Sequence, residues 1–186
     1  MTPEVFATSA IPAEDIADGY YYRLVQFRQH PAPAAWQNMA DLGIKKEGYI
    51  PERAWILAFP ENFNKGDLLN FAPEKVLKYA LRNKINRELF SWQTRNENAL
   101  TEVDIQVVAF RAVAQTRLEE RLSRFGKILK KGSSESTIII RIKAGRISEL
   151  ANLPFVKILE LDPGVPVKDD TPGKSLHRSN AINVDY

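Results

Sequence analysis

Ile105-Gln106-Val107-Val108-Ala109-Phe110-Arg111 lies without a gap on Tyr22-Arg23-Leu24-Val25-Gln26-Phe27-Arg28. The offset is about 83 residues, long for a solenoid repeat and close to the length of a small domain. At that offset Leu118, Leu122 and Phe125 fall on Ala35, Met39 and Leu42, and Gly126 falls on Gly43. Ile138, Ile140 and Ile142 fall on Trp55, Leu57 and Phe59. Strand, helix, helix terminator and strand all agree on one register, which a tandem duplication explains.

Working outward, residues 1–19 are rich in Ala, Pro and acids without a sustained period and read as a loosely packed arm. The aromatic and branched run Tyr20 to Phe27 predicts a strand, stopped by Pro31 and Pro33. Ala34 to Leu42 has helical spacing, with Gly43 as terminator. Ile44 to Ile50 and Ala54 to Phe59 read as strands. Pro73 to Leu81 reads as a helix with Pro73 in its first turn, and Glu88 to Trp92 as a short strand. Residues 94–102 are polar and read as a linker. In the second half, Ile147, Leu150 and Ala151 give a short helix and Phe155 to Leu161 a closing strand.

The predicted class is therefore α+β. Two tandem ferredoxin-like units, each strand, helix, strand, strand, helix, strand, span residues 20–93 and 103–162, with antiparallel sheets and helices on one face. Residues 163–186 form an extended polar tail. Ile105, Val107, Ala109, Ile138, Ile140 and Ile142 are expected to face the helices of the second unit. Val108, Phe110 and Ile139 then line its open side beside Gln106 and Arg141, and Val25, Phe27 and Ile56 line that of the first. Such a row either meets a partner or packs the two units against each other.

The chain has 186 residues, 44% hydrophobic and 26% charged, in the range of ordinary globular proteins. It has no apolar run of membrane-spanning length and no signal-peptide pattern, so no membrane partner is expected. Lacking cysteine, it has neither disulfides nor thiol chemistry. A net charge of +3, from 26 basic and 23 acidic residues, is too balanced to point to nucleic acid. No nucleophile elbow, phosphate-binding glycine loop or metal-binding spacing is present, and His30 and His177 read as solvated loop residues. No catalytic residue, cofactor or metal is predicted. Glu119 and Glu120 read as surface ion-pair partners of Arg117, Arg121 and Arg124, and Lys127, Lys130 and Lys131 as a solvated hairpin approach.

Leu153-Pro154-Phe155-Val156-Lys157-Ile158-Leu159-Glu160-Leu161-Asp162 ends in two carboxylates and runs into Pro163-Gly164, which must stop sheet pairing. Preceded by the small helix at Ile147 to Ala151, it resembles the end of the propeptide inhibitor domain of subtilisin-like serine proteases. There a pattern of Val, spacer, Ile or Val, Glu, spacer, Asp closes the last strand. Either Ile158 or Leu159 can fill the branched position. The first unit is similar to the extra propeptide-like domain found in some secreted bacterial subtilases. The tail Gly173 to Asn183 resembles their lead-in to the catalytic domain.

The resemblance implies a non-catalytic, secreted or cell-surface propeptide region, an inhibitor and intramolecular chaperone of a protease domain following Tyr186. It implies that the open sheet face, with Val108, Phe110 and Ile139, packs on two protease helices. Glu160 and Asp162 would cap those helices, whose N-termini offer unpaired N–H groups and partial positive charge. Val165, Pro166, Val167 and Lys168 would lie in the substrate cleft, with Lys168 at the primary specificity position. The alternative expectation is a tandem ferredoxin-like regulatory or protein-interaction module unrelated to proteolysis.

Overall fold

The computed structural model describes residues 1–162 apart from Glu97, Ser133 and Glu135. His177 and the cleft-binding positions Val165, Pro166, Val167 and Lys168 lie outside the described residues. The protein is a mixed α+β molecule built on two antiparallel sheets.

The first sheet takes α1 (Pro3–Thr8), β1 (Ile16–Ala17), β2 (Tyr20–Phe27), α2 (Pro33–Asp41), β3 (Lys45–Ile50), β4 (Ala54–Pro60) and β5 (Pro73–Lys78). Strand β2 lies centrally, with β4 and then β3 on one side and β1 and β5 end to end on the other. Proline at the start of α2 has its φ already set for a helix, and Gly43, at φ 79°, turns the chain out of it. A side chain at Gly43 would strain that backbone and meet Pro60 Cγ at 2.9 Å. The core joins Tyr21, Val25 and Phe27 to Leu57 and Phe59, closed by Met39 of α2 and Leu68 of a 3-10 helix at Lys65–Phe71. Residues 1–19 are no loose arm: Phe6 of α1 is fully buried, its ring 6.0 Å from that of Phe59.

The helix expected over Pro73 to Leu81 is instead β5. The open edge of β2 offers unpaired backbone groups, and Val76, opposite Val25, is entirely buried there. Pro73 suits the first position of a strand as well as that of a helix. The strand expected over Glu88 to Trp92 is instead a helix, α3 (Arg87–Arg95), capped by Asn86, whose Oδ1 accepts the Leu89 N–H at 2.8 Å. Leu89 and Trp92, three apart, reach the second core, while Phe90 points outward. Residues 94–102 are not a free linker. Helix α3 continues to Arg95, and Ala99 and Thr101 accept bonds from Gly145 and Ala144.

The second sheet follows with β6 (Glu102–Ala109), α4 (Gln115–Ser123), β7 (Lys127–Lys131), β8 (Thr137–Lys143), α5 (Ile147–Asn152) and β9 (Val156–Leu161). Its order is β7-β8-β6-β9, all antiparallel. Ile105, Val107, Ala109, Ile138, Ile140 and Ile142 all enter its core with Leu118, Leu122, Ile147 and Leu150, as their alternation predicts. Along the outer side of β9, Leu159 N–H donates to Lys84 O at 2.6 Å and Asn86 N–H donates to Leu159 O at 3.0 Å, forming an isolated parallel bridge.

The proposed repeat is one residue out of register in its first strand. Ile105 pairs with Ile140, whereas Leu57, the counterpart of Ile140, pairs with Arg23 and not with Tyr22. One residue of slip exchanges the two faces of a strand. Val25 and Phe27 therefore lie in the first core, and Tyr22 and Leu24 join Ile56 and Ala58 on the other face.

Candidate functional site

Strand β9 sends Leu159 and Leu161 into the second core, so Glu160 between them points to the side away from the helices. Glu160 stands opposite Gln106, whose Nε2 donates to its Oε2 at 3.0 Å. Asp162 is held just past the strand by its N–H donating to Asp104 O at 3.0 Å. Its side chain is only 11% exposed, with Oδ2 3.7 Å from Lys130 Nζ. Oδ1 is buried and has no hydrogen-bond partner among the described residues.

Between these acids and the β7 edge, Arg141 donates to Asp104 from Nε and Nη2 at 2.6 and 2.8 Å. That bond outweighs the opposing effect of burial and holds the Asp104 carboxyl below its usual range. The helix-free face is thus crossed by a row of polar pairs, Lys130 to Asp162, Arg141 to Asp104 and Gln106 to Glu160, over an apolar strip of Val108, Ile158 and Ile139.

Of the residues singled out from sequence, Glu160, Asp162, Val108 and Ile139 share this face. Ile139 is not exposed, at 4%, and Val108 is half-buried. Phe110 leaves the face altogether. It is completely buried where the two sheets meet, stacked on Tyr22 with centroids 3.8 Å apart and edge-on to Tyr79 at 6.0 Å. Ile56 and Ala58 complete that cluster, so the apolar row on the open faces is in part the contact between the units. Lys130 and Asp104 went unrecognised as site residues. The alternation Asp104, Gln106, Val108 on β6 was the available signal for Asp104, whereas Lys130 needs the β7–β8 pairing to place it opposite Ile139.

Polar contacts surround the Tyr22–Phe110 stack. Asp18, at φ 52° in the β1–β2 turn, receives Arg117 at 2.8 Å and Arg121 at 3.0 Å from α4. Glu47 on β3, 4% exposed, accepts the Arg111 N–H through Oε2, and its carbonyl accepts Lys157 Nζ at 2.6 Å. Burial alone would raise the Asp15 carboxyl, but Lys78 and Arg23 bonded to it hold it below its ordinary value. Lys84 is buried beside this group with Nζ donating to Leu153 O at 2.8 Å, and burial, reinforced by Lys78, lowers its pKa to about 8.

His30 is exposed, its ring 6.1 Å from that of Tyr49. Glu120 pairs with Arg124 at 3.6 Å and Glu119 with Lys131 at 2.8 Å, both at the surface. Among the described residues no three His, Cys, Asp or Glu side chains are grouped to hold a metal, and no helix is long and apolar enough to cross a membrane.

A family model described as "Domain of unknown function (DUF8729)" matches residues 2–82. That span contains α1 to β5, the elements of the first sheet. No curated protein and no solved structure matches the chain.

Proposed function

We propose that this chain is the propeptide region of a secreted or surface-bound subtilisin-like serine protease, without catalytic residues of its own, serving as its inhibitor and folding chaperone. Both units are taken as variants of the ferredoxin-like arrangement. The strand orders β7-β8-β6-β9 and β3-β4-β2-β5 support this, as does the 3-10 helix at Lys65–Phe71 standing where the first unit would otherwise have its second helix.

The observation that carries the reading is the placement of Glu160 and Asp162 together on the helix-free face, Asp162 with a long 3.7 Å contact to Lys130. The free N–H groups of a helix N-terminus, with their partial positive charge, suit carboxylates such as these. Docking would exchange the long Lys130 contact for shorter charge-assisted bonds.

The test is inhibition of a subtilisin-like catalytic domain, first the one encoded with this chain, by residues 1–186. The Glu160→Ala, Asp162→Ala double variant should inhibit at least tenfold more weakly, since each bond to a charged group is worth about 1.5–3 kcal/mol. Undiminished inhibition by a folded double variant removes the capping role. No inhibition by the parent chain removes the function and leaves the interaction-module reading.

A further inference from the structure

On the helix side of the second sheet, α3, α5 and the segment joining β5 to α3 enclose an open groove of about 810 Å³. Leu81, Ile85 and Phe90 form its apolar lining, with Phe90 61% exposed. Arg82 and Arg87 stand over this surface, and no carboxylate among the described residues lines the groove. Neither arginine forms an ion pair among the described residues, although nine such pairs occur elsewhere.

The position of Arg87 is telling in itself. It is the first residue of the nine-residue helix α3, where the aligned peptide dipoles already place partial positive charge and a cation is unfavourable. Helix stability does not explain it. Two guanidinium groups with no ion pair among the described residues and a helix N-terminus beside an exposed phenyl ring make a site suited to an anion and an apolar body.

We propose that this groove binds an acidic, apolar peptide segment of a partner protein. One carboxylate would sit between Arg82 and Arg87, and a neighbouring aromatic or branched side chain would rest on Leu81, Ile85 and Phe90. Guanidinium groups suit the first task because their planar fork matches a carboxylate with two parallel bonds. The groove faces away from Glu160 and Asp162, so this site does not rest on the protease reading and can be filled while the other face is occupied.

The experiment uses the full chain and a fluorescein-labelled pentapeptide, Glu-Asp-Phe-Leu-Asp, followed by fluorescence anisotropy. Saturable binding below about 1 mM is expected, weakening as salt is raised. Arg82→Ala with Arg87→Ala, and separately Phe90→Ala, should each weaken it about tenfold or more. All three side chains are exposed, so these variants keep the fold, and Glu160→Ala with Asp162→Ala should leave peptide binding unchanged. A peptide with its acids replaced by amides should bind no better than the arginine variant. No saturable binding, or binding indifferent to these changes, overturns the proposal. Self-association of the chain that Phe90→Ala abolishes overturns it too, in favour of a second copy as occupant.

Discussion

Phe110 shows how much one side chain can decide. It is fully buried between Tyr22 and Tyr79, so Phe110→Ala opens a cavity at the junction of the sheets and should lower stability to urea by about 3–5 kcal/mol. Lys130 should act in the opposite sense on binding. Its contact with Asp162 is long and half-exposed, and Lys130→Met should tighten protease inhibition a few-fold by leaving the carboxylate free for its partner. Lys84 gives a pH signature. Its folded pKa is lowered to about 8 from 10.5, so between those values the unfolded chain holds the extra proton and stability rises with pH. Urea midpoints should therefore increase from pH 8 toward pH 10, and Lys84→Met should flatten that rise. Above about pH 10 the sign reverses, because burial raises the phenols of Tyr21 and Tyr22 and only the unfolded chain loses their protons.

At the scale of elements, the second half was the readable one. Strict alternation in Ile138, Ile140 and Ile142 and in Ile105, Val107 and Ala109 leaves each strand a single face to bury. The first half misled where local chemistry served two structures. Pro73 followed by Val76 and Leu77 fits a helix start, yet an unpaired edge on β2 claimed it as a strand. Glu88 to Trp92 looks like a strand by its aromatic density, while Asn86 three residues before Leu89 was a helix cap in plain view. Asn86→Ala should destabilise the protein by about 1 kcal/mol and loosen amide exchange protection in α3 before that in β6. The register slip in β2 has a similar origin. Tyr20, Tyr21, Tyr22, Leu24, Val25 and Phe27 are apolar enough on both faces that composition could not choose between them. Glu160 and Asp162 stand out in the sequence as the acids that end the closing strand, but which face Glu160 takes needs the pairing with β6. Asp104 could be placed on their face by its alternation with Gln106 and Val108, whereas Lys130 could not, because only the β7–β8 pairing brings it there.

For the whole molecule, the two sheets are joined by more than the chain that connects them. Asp18 on α4 arginines and Glu47 on Arg111 and Lys157 cross the junction around Phe110. Heat should unfold both sheets in one calorimetric transition, and Asp18→Ala with Glu47→Ala should lower its midpoint without splitting it. Two separate transitions in the parent chain would mean the sheets fold independently. The borders of the second sheet carry a further consequence. On one side β7 presents Lys127, Lys130 and Lys131 and a register shift between Ile128 and Lys130. On the other, the Lys84–Asn86 backbone already occupies the middle of β9 at Leu159. An incoming strand meets lysines and a register shift on one border and an occupied middle on the other, so both borders disfavour growth of the sheet by strand addition. That favours partners that meet this half of the protein broadside, through side chains rather than through backbone pairing.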